Sequence, residues 1–251
     1  MNFKMKKIEL FVATHKAALF PQNEIYKPIH VGKALSGLEL NIARDDVRDH
    51  ISDLNPNFCE LTALYWMWKN SDAEILGLVH YRRFFTGSFP FQNISILQAS
   101  DLHFKTGVNI ILAKKIYFAK IIDPLLKFDL LNHYSVYEQF CLGHFSKDWD
   151  AVRDVIYELY PEYLKSFYHV SDSKYGLSLF NMFVADREFV NHYCEWLFKI
   201  LFKLKEQVDI SKYDTYQARL FGFLSERLLN IYVYHHRKSL NVEYREVLMM
   251  E

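Results

Sequence analysis

Two guanidinium groups and an imidazole follow a short apolar run, residues 75–79, in the tetrapeptide His80-Tyr81-Arg82-Arg83. Arginine offers planar, bidentate and permanently charged donors, which suit a phosphate or diphosphate. The apolar run is too short for a helix and is typical of a buried strand in a parallel sheet. Ligands of open α/β sheets bind beyond the carboxyl ends of such strands. The pattern therefore predicts an anion site here, and solvated arginines at a strand end are the alternative.

Further polar and charged candidates follow two other predicted strands or lie in the loop region between the first two strands. The groups after the first strand stand where such sheets seat a base and ribose, with a surface turn as the alternative. The loop cluster could contact ribose or diphosphate, or could form surface ion pairs. These candidates are Thr14, His15, Lys16, Arg44, Asp45, Asp46, Lys114 and Lys115.

The overall charge limits the classes of partner. Lys plus Arg and Asp plus Glu both number 30, so the formal net charge is zero and a nucleic-acid-binding role is disfavoured. Any anion site must therefore be local. Three widely spaced cysteines make no metal-ligand pattern and indicate a reducing, cytoplasmic setting. No run approaches the ~20 apolar residues of a spanning helix, which leaves peripheral attachment at a membrane open.

The order of the predicted elements favours an α/β sheet in a single compact unit. The three apolar runs at residues 8–13, 75–79 and 108–112 are expected to be parallel neighbours. Residues 86–98 are expected to form a loop, and residues 177–184 a strand that contains Asn181. The remaining predictions are helices at about residues 58–70, 149–159, 188–207 and 213–234, and a late strand within residues 242–249.

Several familiar catalytic motifs are absent from the sequence. There is no G-x-G-x-x-G after the first strand, no G-x-x-x-x-G-K-[ST], no G-x-S-x-G and no H-E-x-x-H. The absence disfavours standard dinucleotide binding, P-loop phosphoryl transfer, hydrolases with a nucleophile elbow and zinc proteases of that type.

Several segments, in this order, carry a resemblance to a known family. They are VATHK at 12–16, RDD at 44–46, DHIS at 49–52, NPNFCELTALYW at 55–66, GLVHYRR at 77–83, FNMF at 180–183, YCEWLF at 193–198 and GFLSERLL at 222–229. They resemble a bacterial surface-polysaccharide glycosyltransferase family, long described only as a domain of unknown function in capsule and lipopolysaccharide gene clusters. The chain departs from many members at His50, where they have Asn, and at Ala113, where they have Pro.

The resemblance implies a GT-A-like, mostly parallel sheet flanked by helices, in one domain with a helical C-terminal part. Residues 1–120 would bind the nucleotide sugar, and residues 121–251 would face the acceptor. Many GT-A enzymes place Asp-x-Asp after a middle strand to hold a metal on the diphosphate. Here His80-Tyr81-Arg82-Arg83 stand at that strand end, so fixed cations favour a metal-independent enzyme. The alternative is Mg²⁺ or Mn²⁺ held by Asp45 and Asp46.

Transfer also needs a group that handles the proton of the acceptor hydroxyl. The candidates are Asp214, Glu226 and His144. Asp214 stands at a predicted helix start and could instead be an N-cap. Glu226 lies in an otherwise apolar stretch, which favours a raised pKa, or a buried ion pair with Arg227. Asn181, in an apolar run, needs a hydrogen-bond partner and is predicted to bind acceptor or sugar hydroxyls.

The sequence thus predicts transfer of a hexosyl unit, galactofuranosyl in some members of the family, from a UDP-sugar to a growing surface polysaccharide or lipid-linked glycan. The alternative is a non-catalytic nucleotide- or sugar-binding module of a polysaccharide assembly complex. A carboxylate or histidine in the same cleft as His80 to Arg83 would distinguish the enzyme from the module.

Overall fold

Strands from both halves of the chain share one sheet in a computed structural model, which describes residues 6–120 and 133–250. The main path runs β3-β2-β1-β4-β8-β7-β9, and β5, β6 and β10 branch from β4. The strands are β1 Ile8–Thr14, β2 Tyr26–His30, β3 Ala43–Arg44, β4 Ile75–His80, β5 Arg83–Phe91, β6 Ile94–Ile96, β7 Val108–Ala113, β8 Phe183–Asp186, β9 Leu240–Arg245 and β10 Val247–Met249.

Helices flank the sheet, and a large apolar cluster lies between them and the strands. A smaller cluster packs on β5 and β6. The helices are α1 Asn55–Phe58, α2 Leu61–Asn70, α3 Val136–Gly143, α4 Ser146–Leu159, α5 Leu164–Asp172, α6 Arg187–Gln207 and α7 Leu220–His235. Within the two described ranges, no helix has the length and apolarity needed to cross a membrane.

The centre of the sheet confirms part of the predicted strand order. β1 and β4 are parallel neighbours, in a register that pairs Leu10 with Gly77. Glycine is needed here, because an added Cβ would lie 2.5 Å from Leu10 Cδ2 and 2.9 Å from the carbonyl oxygen of Phe183. The prediction that β7 is their direct neighbour is wrong. The antiparallel strand β8 pairs with β4 on one edge and with β7 on the other.

Three local predictions also need correction. Residues 86–98 do not form a loop, because most of them belong to the antiparallel pair β5 and β6. The predicted helix at 58–70 is divided at Cys59, whose φ is 51°. The predicted strand at 177–184 starts only at Phe183. Phe180 and Asn181 have φ values of 72° and 53°, so Asn181 lies in a left-handed turn before β8 and not in a strand.

Candidate active site

The carboxyl ends of β1 and β4 bring two predicted charged segments together. The ring of Tyr81 packs edge-on against His15, with 5.6 Å between ring centroids. Lys16 Nζ and the Arg82 guanidinium lie 5.4 and 5.1 Å from the centre of the same ring. Burial first, and then the positive charges of Lys16 and Arg82, lower the pKa of His15. The strand ends therefore carry a patch of positive potential that suits an anion.

Thr14 supports this strand end from within the protein. Its side chain is almost fully buried, and its hydroxyl donates to the carbonyl of Lys16 at 2.6 Å. The same hydroxyl accepts from the backbone N–H of Lys16. Thr14 therefore shapes the turn that presents His15 and Lys16, both of which are exposed.

His80 and Arg83 both contact the turn at Phe180. His80 Nε2 donates to the carbonyl of Phe180 at 2.7 Å, and the Arg83 guanidinium lies 4.5 Å from the Phe180 ring centre. Burial lowers the pKa of both side chains. Arg83 Nε is buried and has no hydrogen-bond partner among residues 6–120 and 133–250. A buried, unpaired guanidinium N–H is unusual and marks a place where a ligand could be bound.

Two carboxylates hold the same turn from the other side. Glu226 Oε1 accepts from the backbone N–H of Phe180 at 2.7 Å, and Glu60 Oε1 accepts from Asn181 Nδ2 at 2.6 Å. Asn181 is buried, and its Oδ1 accepts from the Ser225 hydroxyl. The predicted need of Asn181 for a partner is therefore met within the protein, and its amide positions Glu60.

The carboxylates of Glu60 and Glu226 are close enough to interact electrostatically. Burial, and then the negative charge of Glu60, raise the pKa of Glu226, while Arg227 and Arg83 oppose the shift. The expected buried ion pair with Arg227 is also present, at 2.9 Å. Two carboxylates beside an imidazole and a guanidinium can hold and move a proton. We call Glu60, His80, Arg83, the Phe180–Asn181 backbone and Glu226 the turn site.

Glu60 was not among the candidate site residues from the sequence. It directly precedes α2, where a carboxylate is also explained by the helix dipole. Its Oε2 has no hydrogen-bond partner in the described part of the chain. The available signal was a single carboxylate between the buried residues Phe58 and Leu61.

Arg219 is a second residue that sequence reasoning missed. Its Nε donates to Cys59 Sγ at 3.3 Å, and its charge contributes to the lowered pKa of His15. Arg219 comes just before α7, the helix that carries Glu226. It therefore links the positive patch at the ends of β1 and β4 to the turn site.

Asp214 and His144 meet at Gln217, before the start of α7. Asp214 is exposed, and its Oδ1 accepts from the backbone N–H of Gln217 at 2.7 Å, as the N-cap alternative predicts. His144 Nδ1 lies 3.0 Å from Gln217 Oε1, and the imidazole packs against Phe223. Burial lowers the pKa of His144. The hydrogen bonds of these two candidates therefore run to Gln217 and not to the Phe180–Asn181 backbone.

The carboxylates of the loop cluster, Asp45 and Asp46, form hydrogen bonds and an ion pair within the protein. Asp45 is fully buried and accepts from the backbone N–H groups of Gly32 and Lys33 and from the Ser52 hydroxyl. Asp46 forms a two-point ion pair with Arg44. Asp45 thus shows no surface to a ligand in this conformation. In the ranges that the structure describes, no group of three or more His, Cys, Asp or Glu side chains could hold a metal ion.

Lys114 and Lys115 do not join the positive patch beside Tyr81. Their strand, β7, is separated from β4 by β8. Lys114 is exposed and pairs with Glu246. Lys115 is half-buried and lies near the Tyr244 ring. The structure therefore divides the predicted donor-binding cations between two places.

Comparison with known proteins agrees with this architecture. A family described as "Domain of unknown function (DUF4422)" matches residues 9–238. The chain belongs to this family. The apo structure of the bifunctional glycosyltransferase WbbM is similar, with a TM-score of 0.82 and 27% identity over 98% of this chain. The chain spans 45% of the WbbM chain. A search of curated proteins finds no match.

The match to WbbM confirms the expected GT-A-like α/β fold in one domain. The positive patch and the turn site both occupy the carboxyl ends of β1 and β4, or elements that pack against them.

Proposed function

We propose that this protein is a glycosyltransferase that moves a hexosyl unit from a UDP-sugar to a hydroxyl of a growing glycan. The observation that carries the proposal is the pair Glu60 and Glu226, held on one strained turn beside His80 and Arg83. A binding module needs no such carboxylate pair next to its anion site. The fold shared with a bifunctional glycosyltransferase supports the same assignment.

In this proposal the donor diphosphate lies over the ends of β1 and β4. His15, Lys16 and Arg82 are exposed there and surround Tyr81. Arg83, with its unpaired Nε, stands between them and the carboxylates. Cations fixed before the reaction stabilise the charge that develops on a leaving diphosphate without reorganisation.

The carboxylates then act on the acceptor. No described residue forms a hydrogen bond with Glu60 Oε2, which makes Glu60 the group with the capacity to accept the proton of the acceptor hydroxyl. Glu226 has both oxygens bound, by Phe180 N–H and by Arg227. Burial, and then the negative charge of Glu60, raise the pKa of Glu226, which favours a role in proton transfer beside Glu60. In this proposal Asp214 and His144, which both form hydrogen bonds with Gln217, lie along the path by which the acceptor reaches the turn site.

We further propose that turnover needs no divalent ion. The support is the set of fixed cations at the strand ends and the engagement of Asp45 and Asp46 in protein contacts. The assay is transfer or donor hydrolysis in EDTA and then with added Mn²⁺. Unchanged rates are expected. Loss of activity in EDTA with recovery on adding Mn²⁺ would contradict this part of the proposal.

The resemblance described above supports a role in bacterial capsule or lipopolysaccharide synthesis. On that basis we propose a cytoplasmic protein, attached peripherally to the membrane where a lipid-linked acceptor is extended. UDP-galactofuranose is one donor to test, because some members of the resembled family transfer galactofuranosyl units.

The deciding experiment incubates the protein with a panel of UDP-sugars that includes both ring forms of UDP-galactose, and measures release of UDP. Slow release from one donor is expected, and it should disappear in Glu60→Gln and Glu226→Gln together. Binding of UDP without release from any donor, with or without added glycan acceptor, would favour the non-catalytic module.

A further inference from the structure

A cavity of about 380 Å³ lies beside β7 and β9, between the sheet and the C-terminal parts of α5 and α7. Its volume is within the range of small-molecule sites. Part of its wall is apolar and buried, formed by Leu112, Val170, Leu177 and Val233. We call it the Lys115 cavity. Its lining shares no residue with the turn site, so it is a second place where a ligand could bind.

The charged side chains in the wall of the Lys115 cavity are basic. Lys115, Arg237 and the imidazole of His169 line the Lys115 cavity. Among the described residues, no Asp or Glu belongs to its lining. Asp172, which is three residues from His169 in the sequence, lines a different, adjoining groove; His169 lines both that groove and the cavity. In a chain with as many acidic as basic residues, an acid-free wall with two permanent or near-permanent cations favours an anion.

Among residues 6–120 and 133–250, no carboxylate pairs with Lys115 to compensate its partial burial. Burial lowers the pKa of its ammonium group, and no negative charge opposes that shift. The preceding residue, Lys114, is instead exposed and paired with Glu246. Removing a lysine charge from water costs free energy, which a partner of opposite charge offsets. A bound anion would supply the missing partner.

Arg237 is held in place at the mouth of the cavity. Its guanidinium lies 4.1 Å from the centre of the Tyr234 ring, and one of its N–H groups donates to the Tyr234 carbonyl at 2.7 Å. The imidazole of His169 stacks on Tyr234 at 3.9 Å. The bond to the Tyr234 carbonyl is the one hydrogen bond of the Arg237 side chain within the described ranges, so most of its five guanidinium donors are available to a ligand.

We infer that the Lys115 cavity binds an organic phosphate whose remainder is apolar. The cations Lys115 and Arg237 would bind the phosphate, and the buried leucines and valines would contact the apolar part. Under the proposed function, on which this step rests, the ligand is the phosphate end of a lipid-linked acceptor.

A direct connection joins this cavity to the turn site. Asn230 lines the cavity, accepts from the Ser178 N–H at 3.0 Å and donates to the Ser178 carbonyl at 2.8 Å. Ser178 is two residues before Phe180. Asn230 and Glu226 are also one turn apart on α7, and Asn230 donates to the carbonyl of Glu226. A molecule anchored in the cavity therefore lies next to the segment that carries the proposed chemistry.

The test is calorimetric binding of farnesyl phosphate, with inorganic phosphate, farnesol and UMP as comparison ligands. Farnesyl phosphate is expected to bind wild type at least tenfold more tightly than any of the other three. Lys115→Ala and Arg237→Ala should each weaken this binding about tenfold or more, since each removes a charged hydrogen bond. Lys115→Arg should restore most of it. Lys238→Ala changes an exposed neighbour of Arg237 and is the matched control, with unchanged binding expected.

Two results would overturn the inference. One is equal binding of farnesyl phosphate by wild type, Lys115→Ala and Arg237→Ala, which would show an apolar or membrane-like interaction elsewhere. The other is UMP binding as tight as farnesyl phosphate and equally dependent on Lys115, which would make the site a nucleotide site. Neither measurement involves turnover. Absence of UDP release would therefore speak against the proposed function alone, and loss of prenyl phosphate binding against this inference alone.

Discussion

The strands β4 and β7 end in similar sequences but contribute to different places. β4 ends at His80 and is followed by Tyr81-Arg82-Arg83, and β7 is followed by Lys114-Lys115. β8 lies between the two strands and runs antiparallel to both. As a result, Arg83 lies near two carboxylates, whereas Lys115 lines a cavity to which no Asp or Glu of the described residues contributes. A cationic strand end predicts an anion site, but the neighbouring strand decides which anion and what chemistry.

The largest expected difference between the two strand ends is in turnover. Glu60→Gln and Glu226→Gln should each lower the rate about a hundredfold or more, because each removes a group that holds a proton at the turn site. The measurement is UDP release at saturating donor, with UDP binding and circular dichroism as checks of folding. Asp214→Asn changes an exposed carboxylate that caps a short helix, and it should retain most of the rate.

The outcome of those three variants also separates the candidates. If Asp214→Asn loses turnover while the two glutamine variants keep it, the acid–base role belongs to the groups around Gln217, namely Asp214 and His144. The next variant to measure is then His144→Ala. If all three keep near-normal rates, the comparison between the two strand ends has no catalytic meaning.

Donor binding should differ between the strand ends by a somewhat smaller factor. Arg82→Ala and Arg83→Ala should each weaken UDP binding by roughly ten- to a hundredfold, the effect of losing a charged hydrogen bond. Lys114→Ala should leave UDP binding unchanged, because Lys114 is exposed and paired with Glu246 on the other side of β8. Calorimetry with UDP is the measurement. Equal losses in all three variants would mean that the two strand ends serve one diphosphate.

The sequence was sufficient to predict the strands β1, β4 and β7, because each is a short buried apolar run, and to predict that β1 and β4 pair. It was insufficient for β8. An apolar segment at 177–184 satisfies the composition of a strand. Phe180 and Asn181, however, adopt positive φ values that are stabilised by tertiary contacts, among them those with Glu226 and Glu60. Local pattern carries no information on such contacts.

The same reason explains which site residues were found. Arg82 and Arg83 are adjacent in sequence and follow a strand, so periodicity alone reveals them. Glu60 becomes a site residue only because Asn181, 121 positions later, donates to it. Asp45 shows the converse case. The adjacent carboxylates Asp45 and Asp46 suggest a ligand site in the sequence, but in the structure Asp45 accepts hydrogen bonds from the backbone N–H groups of Gly32 and Lys33 and stabilises a loop.

The stability of the protein tests the strand order at the centre of the sheet, where β8 separates β4 from β7. Gly77→Ala would place a Cβ 2.5 Å from Leu10 Cδ2 on β1 and 2.9 Å from the Phe183 carbonyl on β8. Overpacking of this kind should lower the free energy of unfolding by about 1–3 kcal/mol. Gly37→Ala is the control, because nothing lies within 4 Å of its added Cβ, and it should change stability by less than about 0.5 kcal/mol. Urea unfolding measures both. A neutral Gly77→Ala would mean that β1, β4 and β8 are not packed together as described.

The smallest expected effect is the pH dependence that His80 adds at the end of β4. Burial lowers the pKa of its imidazole below the ordinary value of 6.5, although Glu60 opposes the shift. Below about pH 6.5 the unfolded chain therefore takes up a proton at His80 before the folded chain does, and the unfolding free energy falls as pH decreases from 7 to 5.

The variant His80→Gln tests this pH dependence, because it retains a donor for the Phe180 carbonyl and removes the titration. It should reduce the fall in stability between these pH values by on the order of 1 kcal/mol. Lys114 and Lys115 follow β7 and neither is a histidine, so Lys115→Met should not alter this pH dependence. Urea unfolding of the three proteins at pH 7 and pH 5 measures it, and an identical fall in wild type and His80→Gln would show that the imidazole is not held neutral on the turn.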